Sequence, residues 1–84
     1  MDRDIVRERL QGLCRQVFGI VDLVIDDRTT AADVPGWDSL SHARLIVAVE
    51  EHFGIRTTMR EVIRLENVGQ MVSLVASKLG PRLG

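Results

Sequence analysis

Aromatic residues are scarce in this chain: two Phe, one Trp and no Tyr among 84 residues. So few rings exclude a core built on stacked aromatics. They leave Leu, Val and Ile to fill the interior, which suits packed helices better than a strand sandwich. Cysteine occurs once, at Cys14, so no internal disulfide can form and a disulfide-stapled secreted scaffold is excluded. One Cys with His42 and His52 matches no usual zinc spacing, and no metal site is expected. No apolar run approaches the roughly 18 residues of a membrane span. Met1 leads straight into Asp2-Arg3-Asp4, with no signal-peptide pattern. The expectation is a soluble, cytoplasmic monomer that does not engage membranes. It is one domain, 1–84, with a core over about 3–79 and a flexible tail at 80–84. A chain this short has too little volume for an enzyme core plus an enclosed substrate pocket.

Charge is nearly balanced overall, at -1, but unevenly placed. Between Asp22 and Gly54 seven acids face only Arg28 and Arg44, whereas residues 55–84 hold five basic side chains against Glu61 and Glu66. An acidic centre repels nucleic acid and attracts basic protein surfaces.

Periodicity predicts three main helices and one short one. The first spans about Asp2 or Arg3 to Val17 or Phe18, with Val6, Leu10, Leu13 and Val17 as its buried stripe. Gly19 ends it in a left-handed turn. Cys14, beside that stripe, reads as a partly buried small hydrophobe. Residues 20–37 form a long loop pinned by Ile20, Val21, Leu23, Val24 and Ile25. Loops of this length in compact domains are often functional. The second helix runs from about Ser39 to Phe53 with Asp38 as N-cap. Leu45, Ile46, Val49 and Phe53 share one side of it. Leu40, Ala43 and Val47 fall on nearly the opposite side, with Arg44 and Glu51 beside them. A second apolar stripe points to a docking surface. After Gly54, Thr58 caps a short third helix over about Met59 to Leu65, whose Val62, Ile63 and Leu65 cover the top of the bundle. Asn67 caps the fourth, about Val68 to Leu79, with Val68, Met71, Val72, Val75 and Leu79 as its stripe.

The long loop delivers Gly36-Trp37-Asp38-Ser39-Leu40 to the start of the second helix. A serine at such a junction is exposed and rigidly held. No base accompanies it: His42 and His52 lie in the following helix without a paired carboxylate signature. No catalytic residue is therefore expected, and Ser39 reads as a serine that another enzyme modifies. His42 is expected to be half-buried and hydrogen-bonded, and His52 to face solvent.

Asp38-Ser39-Leu40 resembles the attachment triplet of acyl carrier proteins. The following Leu45-Ile46-Val47-Ala48-Val49-Glu50-Glu51-His52-Phe53-Gly54-Ile55 is similar to that family's second helix and its exit. Ile25-Asp26-Asp27-Arg28-Thr29-Thr30 resembles the family's loop, and Asn67-Val68-Gly69-Gln70-Met71-Val72 the start of its last helix. The resemblance covers roughly residues 3–79. It implies an all-α, acyl-carrier-like bundle of three main helices plus one short helix, with a long loop between helices 1 and 2. It also implies a non-catalytic carrier. A phosphopantetheinyl transferase would use coenzyme A to attach 4'-phosphopantetheine covalently to Ser39, with Asp38 in support. The arm would hold acyl groups as thioesters and deliver them to acyl-loading and acyl-processing enzymes. Leu40, Ala43, Arg44, Val47 and Glu51 would form the docking face.

Two departures bear on pathway. Where fatty-acid carriers add acids just after the motif, this chain has Ser41, His42 and Arg44, and Trp37 replaces a leucine. These favour a discrete carrier of polyketide or related secondary-metabolite assembly, with a fatty-acid or aminoacyl (D-alanyl or peptidyl) carrier as the alternative. From another class, a small helical regulatory or DNA-binding module remains as rival. Its mark would be a basic recognition helix, whereas the helix after Ser39 sets Arg44 against Glu50 and Glu51.

Overall fold

A computed structural model describes residues 2–80. Its described residues form four helices in chain order, α1 (Arg3–Phe18), α2 (Ser39–Phe53), α3 (Met59–Ile63) and α4 (Val68–Leu79), and no strand. One 3-10 turn, Ala31–Asp33, interrupts the long loop. The all-α architecture expected from the sequence is observed. No helix among the described residues is long and apolar enough to cross a membrane.

Local chemistry sets the helix ends. Side chains of Asp2, Asp38, Thr58 and Asn67 each accept a hydrogen bond from a first-turn amide. Such caps satisfy donors that have no intrahelical partner. Gly19 and Gly54 end α1 and α2 in left-handed geometry, φ 68° and 67°, where a Cβ would be strained. The expected flexible tail, 80–84, lies outside the described residues except for Gly80.

α1 packs against both α2 and α4. The core combines Val6 and Leu10 of α1, Leu45 and Val49 of α2, and Val68, Met71, Val72 and Val75 of α4. Three sequence expectations need correction. Cys14 is fully buried rather than partly so, and it continues the line of Val6 and Leu10, while Leu13 and Val17 flank that line half-buried. Burial pushes the Cys14 thiol up to about 12, which makes it an inert core side chain. Val21 and Val24 do not pin the loop; they are 87% and 74% exposed. α3 ends at Ile63 instead of Leu65, and Ile63 points outward, whereas Val62 and Leu65 pack on the core. Ile63 is rotated by about 100° around the helix from Val62, and in this short helix that rotation carries it off the side that meets the core and into solvent.

The loop is held mainly by polar ties. The Arg15 Nε–H donates to the Leu23 carbonyl at 2.7 Å, and the Ile25 amide donates to Gln11 Oε1 at 2.9 Å. Beside these bonds Leu23 and Ile25 turn inward onto the core, while Val24 between them faces water. Farther on, the Val68 and Gly69 amides donate to the carbonyls of Thr29 and Asp27 at 2.8 and 2.9 Å. Asp27 also meets Arg7 at 3.2 Å and Arg3 at 3.4 Å. The contact with α4 needs glycine: a Cβ at Gly69 would lie 2.9 Å from the Asp27 carbonyl oxygen. The loop is thereby fixed at its midpoint, and its last third, from Thr30 through the buried Val34, delivers Trp37 to the start of α2.

Candidate functional site

Ser39 is the first residue of α2 and is exposed. Asp38 precedes it in extended geometry, φ −117° and ψ −171°, and its Oδ1 accepts the Ser41 amide at 2.9 Å. That amide, more than any other contact, holds the Asp38 carboxyl below its ordinary value. The carboxylate is thus charged at neutral pH and committed to the cap. The Ser41 hydroxyl is also engaged, donating to the Gly36 carbonyl at 2.7 Å. Among the described residues no hydrogen bond holds Ser39 Oγ. Of the two serines in this turn, Ser39 is the one whose hydroxyl is unengaged.

Trp37 fixes the approach to the helix. Its ring lies 5.0 Å from that of Phe18, centroid to centroid, and its Nε1–H donates to His42 Nδ1 at 3.0 Å. His42 is therefore hydrogen-bonded and half-buried, as the sequence led us to expect. His52 is exposed, edge-on to Phe53. Burial lowers the His42 pKa from its ordinary 6.5, because desolvation disfavours the imidazolium. Protonation would also remove the lone pair that accepts from Trp37. A histidine with a depressed folded-state pKa stabilises the fold above the unfolded value and loses that contribution as pH falls through the folded value. We expect the wild-type unfolding midpoint to drop between about pH 7 and pH 5, together with a change in emission of the sole tryptophan. His42→Gln should show neither over that interval. Parallel pH profiles of the two proteins would overturn this assignment.

Beside Ser39 opens a groove of about 460 Å³, lined by Ala31, Trp37, Asp38, His42, Leu65 and Met71 among others. The groove joins the loop, the start of α2 and the segment between α3 and α4. Sequence reasoning did not find Ala31, Leu65 and Met71 as neighbours of Ser39, since nothing local in the chain signals their convergence. The expected docking residues lie together on the outer face of α2. Leu40 and Val47 are 67% and 52% exposed, and Ala43, Arg44 and Glu51 are exposed beside them. They form a surface apart from the groove, on the opposite side of the helix from Leu45 and Val49.

These features fit a covalent phosphate-linked arm. The Ser39 hydroxyl is exposed and unengaged among the described residues, the helix N-terminus favours a phosphate, and no acidic side chain occupies the first turn of α2.

Comparison with known proteins agrees. The family model described as "Phosphopantetheine attachment site" matches residues 8–75. An acyl carrier protein of Acidothermus cellulolyticus is 34% identical over 68 residues, 81% of each chain. One from Thermotoga maritima is 23% identical over 78 residues, 93% of this chain and 96% of that relative. The solution NMR structure of a holo acyl carrier protein from Geobacter metallireducens superposes with a TM-score of 0.83 at 40% identity, covering 88% of this chain and 85% of that one. The protein is accordingly a carrier and not an enzyme, and its cofactor is a covalently attached phosphopantetheine. Its family works with phosphopantetheinyl transferases and with biosynthetic enzymes. From the unengaged serine at the head of α2 to the match over most of its length, this chain belongs to the acyl carrier protein family.

Proposed function

We propose that Ser39 carries the phosphopantetheine arm, and that the single carrier domain acts as a cytoplasmic monomer serving polyketide or related secondary-metabolite assembly. The observation that carries the attachment reading is the exposed, unengaged Ser39 hydroxyl at the start of a capped helix. When attached, the arm supplies a terminal thiol that holds acyl groups as thioesters. The chain's own residues supply position. Asp38 ties down the first turn through the Ser41 amide, so the serine is presented on a rigid element. Ser41 closes the Gly36 turn, and Trp37, wedged against Phe18 and His42, sets the angle at which the loop meets α2. Leu40, Ala43, Arg44, Val47 and Glu51 dock the transferase and the acyl-handling enzymes. Tethering then raises the effective concentration of cargo at each partner.

The pathway reading is supported by Ser41, His42 and Arg44, which stand where an acidic turn would favour basic fatty-acid enzymes. Incubation with a broad-specificity phosphopantetheinyl transferase, coenzyme A and a divalent metal should add one phosphopantetheine mass, mapped by peptide fragmentation to Ser39. No gain, or a gain mapped elsewhere, overturns the attachment site. Efficient turnover of the malonyl-loaded holo protein by fatty-acid elongation enzymes would overturn the pathway.

A further inference from the structure

α3 is tied to the bundle along one side only. Val62 and Leu65 pack on the core, Glu61 meets Lys78 of α4 at 2.9 Å, and the Thr58–Glu61 capping box locks its first turn. The preceding Thr57 is gripped by the Glu50 carboxylate, which accepts its amide at 2.7 Å and its hydroxyl at 3.0 Å. The short helix is therefore held in a defined orientation, with its other side turned to water. That side carries Met59 and Ile63, 79% and 74% exposed, one helical turn apart. Arg60 and Arg64 are exposed beside them.

The apolar outer face of α2 leads toward the same region. Val47, Glu50 and Glu51 line a shallow depression together with Arg56, in the connection that precedes α3, and the Glu50 carboxylate that grips Thr57 also feels the Arg56 charge. Across α2, α3 and the segments that flank α3, four exposed arginines, Arg44, Arg56, Arg60 and Arg64, accompany the apolar side chains, against the exposed Glu51 and the half-buried Glu50. None of the four makes an ion pair among the described residues, where the ion-paired cations are Arg3, Arg7 and Lys78. The basic excess of residues 55–84 is thus concentrated beside an unpartnered apolar surface.

We propose that the outer face of α2 and the free side of α3 form one arginine-rimmed apolar docking surface, whose occupant is a partner protein presenting carboxylates around apolar side chains. The proposal rests on the carrier reading and gives its partners a charge. Complementary charge steers encounter and fixes register, while buried apolar anchors supply most of the affinity. Arginine suits the rim because its planar fork pairs with carboxylates in bidentate geometry. Met59, flexible and polarizable, adapts to the apolar contact of more than one partner. An anionic membrane is the weaker match. A five-residue helix offers too little apolar face to lie in a lipid interface, and Glu51 sits within the surface.

The test is an amide chemical-shift titration of the isotope-labelled holo protein with three probes. These are an amphipathic leucine–glutamate peptide, the same peptide with lysine for glutamate, and phosphatidylglycerol vesicles. The glutamate peptide should shift amides at Val47, Arg56 and Met59 to Arg64. Its affinity should fall at least about tenfold in R60E/R64E and on moving from low to high salt. M59S/I63S should weaken it without changing its salt dependence. Helical circular dichroism checks that both variants, altered only at exposed positions, remain folded. Tighter binding of the lysine peptide, vesicle binding without peptide binding, shifts confined elsewhere, or no shift with any probe would overturn the proposal. Phosphopantetheine loading of the wild-type chain is scored separately, so failure of the carrier reading cannot be confused with failure of the docking surface.

Discussion

Ser39→Ala is expected to take the phosphopantetheine mass gain from one equivalent to none, with helix content unchanged. Ser39 is exposed, its Oγ engages nothing among the described residues, and it opens α2 rather than sitting within it. Alanine there removes no buried contact and favours helix, so stability should move by no more than about 0.5 kcal/mol. Ser41 cannot take over. Its hydroxyl is spent on the Gly36 carbonyl at 2.7 Å, and its amide is spent on Asp38. The paired variant makes the argument decisive. Ser41→Ala should keep full loading while loosening the turn that delivers Trp37 and Asp38, lowering the unfolding midpoint by an amount worth about 1 kcal/mol. Intact mass spectrometry on both variants reads the result. Loading that survives Ser39→Ala and disappears in Ser41→Ala would reverse the assignment of the two hydroxyls.

Which features were legible in the chain follows from the range over which each is determined. Helix starts are local events. Asp38, Thr58 and Asn67 were readable as caps because a short polar side chain needs only the amides of the next turn, and each does accept one. The two-sidedness of α2 was equally plain, since helical period alone separates Leu45 and Val49 from Leu40 and Val47. The loop was different. Val21 and Val24 are as apolar as Leu23 and Ile25, and nothing in the run Ile20 to Ile25 says which face inward. The choice is made by Arg15 and Gln11, which bind the chain at Leu23 and Ile25 from a separate helix. Cys14 is more deeply buried than its composition suggests, for a smaller reason. Its neighbour Leu13 is the more apolar side chain, yet Cys14 lies four residues after Leu10 and so falls in line with Val6. The groove beside Ser39 was invisible because Ala31, Leu65 and Met71 converge only once the Thr29 and Asp27 carbonyls have bound the first amides of α4. The free side of α3 did leave a trace: Met59 and Ile63 stand four residues apart with arginines next to them, but expecting a longer helix assigned Ile63 to the core.

Leu45→Ala is expected to be the most damaging single truncation in the helix that carries Ser39. Leu45 is fully buried in the core shared with α1 and α4. Leu→Ala at such a site costs about 2–5 kcal/mol, the larger values arising where the cavity cannot collapse. A domain of this length holds roughly 4–13 kcal/mol of stability in all, so much of the margin is consumed by one residue. Leu40→Ala supplies the contrast within the same helix. Leu40 is 67% exposed, and its truncation should leave the urea midpoint within the equivalent of about 0.5 kcal/mol. The pair separates two geometries that composition alone cannot distinguish, because both positions are leucines within the first two turns of α2. If Leu40→Ala proved the costlier change, α2 would have to be rotated about its axis by close to half a turn. The face assigned to docking would then be core, and the arginine-rimmed surface would lose its α2 half. The predicted order, Leu45 costly to stability and Leu40 nearly neutral, is therefore a condition on the docking surface as much as on the fold.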